Sequence, residues 1–216
     1  MKKKICIIDY KLGNLFSVNQ ALLNIGLEVE ISSDKQTILD ADALVLPGVG
    51  AYGDAMNHLR DLDLINSIKT SVNNNKPLLG VCLGLQLLFT ESEEFGLEKG
   101  LDLIKGKVIR FENLNDKGEI RKVPQIAWNT IEPVDGVNWE NTPLKNMSKE
   151  EFMYFVHSYY IVPEEQVGLS QTNYDGQKYI SSILKNNIFA CQFHPEKSGK
   201  VGLQIYNDWA LTNNLK

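Results

Sequence analysis

One cysteine in this chain, Cys82, lies between two glycines in a pattern typical of a catalytic turn. The stretch 80–84 reads Gly-Val-Cys-Leu-Gly, follows an apolar run and leads into residues with helical spacing. Such a sequence between a strand and a helix is the cysteine version of a nucleophile elbow, which exposes one side chain and aims the first N–H groups of a helix at its target. The alternative is a buried strand in which Cys82 is only a small apolar residue. This stretch alone leaves both interpretations open.

A thiol nucleophile needs a base, and the base needs a group that orients it. The three histidines are His58, His157 and His194. Polar neighbours on a predicted helix favour a solvated surface position for His58. His194 precedes Glu196 by two residues, and in an extended segment such residues point to one side. The carboxylate would then hold the imidazole in the right tautomer, the alternative being an ion-paired loop.

Two further segments could supply donors to a reacting carbonyl group. The Pro47–Gly50 loop places Val49 among glycines, and Leu83 directly follows the candidate nucleophile. Their N–H groups could form an oxyanion hole for a tetrahedral intermediate; the alternative for the loop is a plain turn. The segment 157–160, His-Ser-Tyr-Tyr, follows an apolar strand. It could bind a small polar ligand through its backbone or form a hydrogen-bonded structural corner.

Strands and helices alternate in the first half of the chain. Short apolar runs predict strands at 4–9, 28–31, 43–46 and 77–81. Helical spacing between 15 and 25 predicts one helix, and 52–72 predicts one or two more. The alternation indicates a parallel sheet covered on both faces, with ligands beyond the carboxyl ends of the strands. Cys82 and the Pro47–Gly50 loop both lie at such ends.

From about Lys105 the pattern changes to short runs separated by turn residues, and many of these runs alternate with a period near two. These runs predict strands at 107–111, 120–124, 152–156, 168–172, 179–184 and 188–193. They indicate antiparallel strands that pack on or extend the first sheet, and 199–213 predicts a closing helix. The predicted fold is α/β: a mostly parallel central sheet flanked by helices, with additional antiparallel strands in the second half. Residues 1–216 are expected to form a single domain.

The composition argues against several function classes. A chain of 216 residues with 43% hydrophobic and 23% charged residues predicts a globular protein. A net charge of −5 argues against nucleic-acid binding, and no apolar run approaches the ~20 residues of a membrane span. The cysteines Cys6, Cys82 and Cys191 are widely spaced, which fits reduced thiols in the cytoplasm. With three histidines, a metal site is not expected.

Taken together, the motifs resemble the class I glutamine amidotransferases. Gly-Val-Cys-Leu-Gly-Leu-Gln at 80–86 and Phe-His-Pro-Glu at 193–196 are specific for that class. A narrower likeness, to the glutaminase subunits of imidazole glycerol phosphate synthases in histidine biosynthesis, rests on Pro-Gly-Val-Gly at 47–50, Trp-Asn at 128–129 and His-Ser-Tyr at 157–159, among others. The likeness covers nearly the whole chain and implies the class I glutamine amidotransferase fold.

The resemblance implies a chemical role for each catalytic candidate. Cys82 would attack the side-chain amide of glutamine, and His194 would take the thiol proton and give it to the leaving ammonia. Glu196 would orient His194, and water would hydrolyse the thioester to glutamate. The N–H groups of Val49 and Leu83 would form the oxyanion hole. No cofactor is implied.

The resemblance also implies binding residues and a partner. The residues that would hold glutamine are Gly50, Gln86, Ser158 and Tyr159. The ammonia would pass to a partner cyclase with a (β/α)8-barrel fold, which forms a heterodimer with this chain and makes imidazole glycerol phosphate and an aminoimidazole carboxamide ribotide. The substrate of the partner would switch the glutaminase on. Residues implied at that interface are Trp128, Asn129, Tyr154 and Lys197.

Two departures from the family pattern leave the partner open. The chain has Gln-Ile-Ala at 125–127 where the family usually has His-Met-Gly, and Lys11 where it usually has Gly. Both are expected near the partner, so the alternative is a paralogous glutaminase that serves surface-saccharide synthesis. A Cys-elbow hydrolase or chaperone-like protein of another class would lack the C-terminal His-Pro-Glu. The intact candidate triad argues against a non-catalytic scaffold.

Overall fold

The computed structural model describes residues 3–216, in which thirteen strands join into one sheet. The strands are β1 Lys4–Ile8, β2 Glu28–Ser32, β3 Ala43–Gly48, β4 Leu78–Cys82, β5 Phe89–Ser92, β6 Glu98–Lys99, β7 Ile104–Arg110, β8 Gln125–Pro133, β9 Glu151–His157, β10 Tyr159–Pro163, β11 Gly168–Tyr174, β12 Gln177–Lys185 and β13 Ile188–Cys191. The helices are α1 Leu15–Asn24, α2 Lys35–Asp40, α3 Tyr52–Asp61, α4 Ile65–Asn73, α5 Leu83–Leu87 and α6 Gly199–Thr212. Residues 1 and 2 of the predicted domain lie outside the described part.

One side of the sheet is a block of five parallel strands in the order β2-β1-β3-β4-β13, with β2 at the edge. Alternate side chains of β1 enter two different cores: Ile5 and Ile7 pack with residues of α1 and α6, whereas Cys6 and Ile8 pack with residues of α2 to α5. Burial on both faces explains why β1, β3, β4 and β13 are almost continuously apolar. The α/β class with a parallel central sheet is confirmed.

The second half of the chain adds antiparallel strands, as predicted. β12 pairs antiparallel with β13, β10 and β11, and the β8–β9 pair branches from β11. The pairing of β13 is different from the expectation. It lies parallel to β4, with Cys191 opposite Val81, so the end of β13 emerges beside the end of β4.

One element prediction is wrong. Residues 120–124 form no strand beyond an isolated bridge between Leu114 and Ile120. There the Arg121 side chain is buried and donates to the carbonyls of Glu112 and Asp175, which holds the segment as a loop. The helix predicted after Cys82 is present as α5. It ends at Leu87 because the chain turns into β5, which pairs with β7.

The register of the central strands brings three chain segments to one edge of the sheet. Gly48 at the end of β3 lies opposite Cys82 at the end of β4, and the end of β13 is the next neighbour. Parallel strands open their ligand sites at this edge.

No helix within residues 3–216 is long and apolar enough to cross a membrane.

Candidate active site

Cys82 is the turning point between β4 and α5, and its backbone is strained. Its φ of 55° and ψ of −111° lie outside the regions that non-glycine residues ordinarily adopt. Such conformations persist where the surrounding structure fixes them, typically at functional sites. The side chain is 6% exposed and lines a pocket of about 410 Å³. The strained strand-to-helix turn is the geometry of a nucleophile elbow.

Gly84 allows this turn to pack tightly against β3. A Cβ atom at this position would lie 1.8 Å from the carbonyl oxygen of Leu46, a backbone atom that has no room to move. A glycine is therefore required for the first turn of α5 to touch the strand. The same contact holds the turn against β3, whose Gly48 lies opposite Cys82.

His194 and Glu196 follow β13 and form a direct pair. The ring nitrogen Nδ1 of His194 is 2.8 Å from Oε1 of Glu196, and Tyr206 donates its hydroxyl to the other carboxylate oxygen at 3.1 Å. The extended backbone assumed for this contact is wrong, because residues Pro195–Lys197 form a 3-10 turn. The turn still brings the two side chains together, and both are almost completely buried.

The ionisation of His194 is strongly shifted by its surroundings. Burial lowers its pKa, but the charge and side-chain interaction of Cys82 and the carboxylate of Glu196 outweigh burial and raise the pKa from 6.5 to about 10. Cys82 and His194 line the same pocket. The ring nitrogen Nε2 is buried and forms no hydrogen bond of normal geometry within residues 3–216. It remains available to accept or donate a proton on the pocket side.

The pocket brings together most of the residues predicted for the site. Eight predicted catalytic, oxyanion or glutamine-binding residues line it, and they are Val49, Gly50, Cys82, Leu83, Gln86, Ser158, Tyr159 and His194. The interface candidate Lys197 lines it as well. Glu196 is absent from the lining because it lies behind His194, where an orienting carboxylate belongs.

The loop after β3 forms the opposite side of the pocket. Tyr10 is buried and donates its hydroxyl to the carbonyl of Pro47 at 2.6 Å. Beyond this anchor the loop is open: Val49 is 40% exposed and Gly50 has a φ of 96°. Leu83, across the pocket, is the first residue of α5, so its N–H has no partner within the helix.

The segment 157–160 contains both a hydrogen-bonded structural corner and residues that line the pocket. His157 is a structural corner: its Nδ1 lies 2.8 Å from the carbonyl of Tyr159 and its Nε2 lies 3.1 Å from the Tyr179 hydroxyl. Burial lowers the pKa of His157 to about 4, so the ring is neutral near pH 7. The Tyr159 carbonyl also accepts from Gln86, and the Ser158 carbonyl accepts from Phe111. Ser158 and Tyr159 line the pocket, but their carbonyls are used within the protein.

Three of the four interface candidates form a patch that reaches the pocket through Lys197. Trp128 is 54% exposed and packs edge-on against Tyr154, with ring centroids 6.0 Å apart. The Lys197 ammonium lies 5.7 Å from the centre of the Tyr154 ring. Asn129 does not share this face, because its side chain donates to the carbonyl of Asn173 and it lies opposite the buried Met153 in the β8–β9 pair.

The two departures from the family pattern occupy different environments. Gln125 is 0% exposed and accepts from the hydroxyl of Tyr179, so it is a core residue rather than a surface contact. Its neighbour Ile126 is exposed. Lys11 is exposed and has a φ of 72°, the left-handed conformation that glycine adopts without strain. The expectation of partner contact at Gln125 is therefore wrong for this side chain.

Two residues at the site were not found from the sequence. Glu94 lines the pocket; its carboxylate accepts from the Tyr52 N–H at 2.7 Å, and burial raises its pKa. In the sequence it ends an acidic run, 91–94, that looks like a solvated surface. Gln192 is completely buried with its amide against Cys82. Its position just before Phe-His-Pro-Glu was the available signal.

No group of three or more His, Cys, Asp or Glu side chains in the described residues is arranged to hold a metal ion. His58 lies in the last turn of α3, outside the pocket lining.

Comparison with known proteins gives a consistent picture. The family model for class-I glutamine amidotransferases matches residues 6–211. The imidazole glycerol phosphate synthase subunit HisH of Geobacillus thermodenitrificans is 44% identical over 203 residues, which cover 93% of this chain and 92% of that protein. The subunit of the same name from Syntrophotalea carbinolica is 42% identical over 206 residues, with 95% and 98% covered.

Solved structures agree with the fold. PurLQS from Thermotoga maritima superposes with a TM-score of 0.71 at 22% identity and covers 100% of both chains. A crystal structure of a glutamine amidotransferase gives a TM-score of 0.72 at 16% identity, with 97% of this chain covered and 98% of that chain. At this identity the likeness concerns the fold.

Proposed function

This chain belongs to the class-I glutamine amidotransferase family, and from that premise we propose that it is the glutaminase subunit of an imidazole glycerol phosphate synthase in histidine biosynthesis. The support is the pair of relatives of that name at 44% and 42% identity over more than nine-tenths of this chain. These relatives do not favour the alternative of a saccharide-pathway paralogue. The single observation that carries the chemistry is the elbow cysteine beside a buried His194–Glu196 pair.

The proposed reaction begins when His194 takes the proton of the Cys82 thiol and the sulfur attacks the side-chain amide carbon of glutamine. The carbonyl oxygen becomes an oxyanion as the S–C bond forms. His194 then gives its proton to the amide nitrogen, the C–N bond breaks and ammonia leaves. Water attacks the resulting thioester with His194 as base, the S–C bond breaks, and glutamate departs with the thiol restored. Glu196 keeps the ring in the tautomer and orientation that both proton transfers need.

The oxyanion is stabilised by N–H donors from both sides of the pocket. Leu83 supplies a donor at the start of α5, and Val49 supplies one from the loop after β3. Donors fixed before reaction stabilise developing charge without reorganisation. The Tyr10–Pro47 hydrogen bond fixes the start of this loop, whereas Val49 and Gly50 beyond it are exposed.

The remainder of the pocket holds the amino-acid end of glutamine. Its lining provides Gly50, Gln86, Ser158 and Tyr159. The amide oxygen of Gln86 is the free end of that side chain, because its NH2 group is used by Gln192 and Tyr159. Glu94 adds a carboxylate that can accept from the ammonium group of the substrate.

The partner is a (β/α)8-barrel cyclase that forms a heterodimer with this chain in the cytoplasm. It covers the patch of Trp128, Tyr154 and Lys197, with Asn129 supporting the strand from the other face. Because this patch adjoins the pocket mouth, ammonia can leave directly into the partner. Residues 1–216 act as one domain, and the partner's substrate raises glutaminase activity.

Reconstitution with the cyclase tests this function. The complex is expected to make imidazole glycerol phosphate from glutamine, and a Cys82→Ala complex is expected to make it only from ammonium salts. A matched control is Cys191→Ala, which removes a buried thiol that does not line the pocket. Glutamine-dependent product from the Cys82→Ala complex would contradict the mechanism. If the wild-type pair shows glutaminase activity but does not make this product, the ammonia has another acceptor and the proposed pathway is wrong.

A further inference from the structure

A buried glutamine, Gln192, contacts the candidate nucleophile directly. It lies one residue beyond the end of β13 and is 0% exposed. Its backbone N–H donates to the carbonyl of Ser181 at 2.8 Å, which fixes the main chain. Its side-chain Nε2 donates toward the sulfur of Cys82 at 3.7 Å. A completely buried amide aimed at a reactive sulfur has a cost unless its hydrogen bonds are made.

The orientation of this amide is set by a second glutamine. Gln86 donates its NH2 group to Oε1 of Gln192 at 2.9 Å and to the carbonyl of Tyr159 at 3.0 Å. The Tyr159 carbonyl can only accept, so the Gln86 NH2 must face it. Oε1 of Gln192 then receives the second Gln86 proton, and the Gln192 NH2 is left to face Cys82. A flipped Gln192 would place two donors against each other.

The sulfur of Cys82 therefore has different partners for its two protonation states. The thiol can donate to the carbonyl of Val156, which lies 3.9 Å from the sulfur. A thiolate has no proton for that carbonyl but can accept from the Gln192 N–H. Hydrogen bonds to the charged form of a group favour that form. The arrangement thus distinguishes the thiolate from the thiol.

We propose that Gln192 stabilises and positions the Cys82 thiolate for attack, and that Gln86 acts through it by fixing the orientation of its amide. This inference rests on the proposed glutaminase function, since it concerns the same nucleophile. Gln86 then has two tasks: its amide oxygen binds the substrate, and its NH2 group fixes the orientation of the Gln192 amide.

The test measures the alkylation rate of Cys82 by iodoacetamide across pH, followed on the Cys82 peptide by mass spectrometry. This readout needs neither glutamine nor the cyclase, so it remains informative if the proposed function fails. In Gln192→Leu the pH midpoint of alkylation is expected to rise by about one unit, because one lost hydrogen bond to a charged group is worth about that much. Glutaminase kcat/KM should fall about tenfold at neutral pH, mainly in kcat.

Two further variants keep the test decisive. Gln192→Glu preserves shape but places a carboxylate oxygen against the sulfur, so its alkylation midpoint should rise further. Gln171→Leu makes the same change at a glutamine that donates to the carbonyl of Pro133, away from the pocket, and should leave the midpoint unchanged. If Gln192→Leu is too unstable to assay, Gln192→Glu decides alone. An unchanged midpoint in a folded Gln192 variant would overturn the proposal, whether or not glutaminase activity is present.

Discussion

The two sides of the pocket are built differently. The nucleophile wall, formed by Cys82, Gln192, His194 and Glu196, is buried and held by side-chain hydrogen bonds at the ends of two neighbouring strands. The outer rim, formed by Val49, Gly50, Trp128 and Lys197, is exposed. The contrast separates two tasks. The geometry of attack and proton transfer is set within this chain, whereas the oxyanion loop and the partner patch are where another protein can act.

Removing the nucleophile should have the largest effect. Cys82→Ala eliminates the atom that forms the thioester, so glutamine hydrolysis should fall at least about a thousandfold. The measurement is ammonia release in the complex, with ammonium-driven synthesis as the internal control for partner binding. If both reactions fell together, the variant would have damaged the outer rim as well, and the separation of the two regions would fail.

Changing the orienting carboxylate should have the next largest effect. Glu196→Gln keeps the shape but removes the charge that holds Nδ1 of His194, so kcat should fall about a hundredfold, within the range of acid–base contributions. KM for glutamine should change little, because Glu196 does not line the pocket. Steady-state kinetics of the complex decide this, and a rise in KM at constant kcat would place Glu196 in binding rather than catalysis.

The same variant predicts a change in pH dependence. Burial lowers the pKa of His194, while Cys82 and Glu196 outweigh it and raise the pKa from 6.5 to about 10. A raised value means that the stability from protonated His194 is fully present below pH 6.5 and is lost as pH rises toward about 10. In Glu196→Gln the loss should occur at lower pH. NMR titration of the ring and urea unfolding across this window test it; an unchanged titration would exclude the carboxylate as a cause.

A substitution in the partner patch should weaken binding of the cyclase and leave the reactivity of Cys82 unchanged. Trp128→Ala is expected to weaken binding of the cyclase about tenfold, because exposed aromatic residues at an interface often contribute more than 1 kcal/mol. Alkylation of Cys82 in the isolated chain should stay unchanged. Ile31→Ala is the matched control, an exposed apolar residue on the edge strand β2. Equal affinity of wild type and Trp128→Ala in titration calorimetry would contradict the assigned surface.

A pair of tyrosine variants gives the smallest and most selective effects. Tyr10→Phe removes the hydroxyl bound to Pro47 on the loop side, and Tyr206→Phe removes the hydroxyl bound to Glu196 on the nucleophile side. Each should lower kcat about fivefold, the effect of one hydrogen bond. The titration of His194 should shift in Tyr206→Phe but stay unchanged in Tyr10→Phe. A shift of the His194 titration in both variants would mean that a change on the loop side also alters the surroundings of His194.

The buried parallel strands and the turn at Cys82 could be predicted from the sequence, whereas the pairing of the later strands could not. The strands β1, β3 and β4 are buried on both faces, so their apolar runs are unambiguous, and the elbow glycines mark the turn. By contrast, the apolar run 188–191 does not reveal which neighbour a strand selects. The parallel pairing of β13 with β4 was therefore missed, although it is what brings His194 to Cys82.

Other features could not be predicted correctly because they depend on contacts between segments that are distant in the sequence. The strand β8 was missed because 125–133 mixes polar and aromatic residues and is recognisable only from its pairing with β9. Gln192 and Glu94 required knowledge of which segments meet at the pocket. The His194–Glu196 contact was predicted, but from an extended backbone that is in fact a 3-10 turn.

The central claim is that Cys82 forms a thioester with the substrate while His194 serves the leaving group. The most direct measurement is rapid mixing of the complex with glutamine, quenching in acid, and mass spectrometry of the intact chain and its peptides. A gain of one glutamyl group on the peptide that contains Cys82, lost in Cys82→Ala, is the predicted result. Turnover of glutamine without any adduct at Cys82, or an adduct at Cys191 instead, would contradict the account.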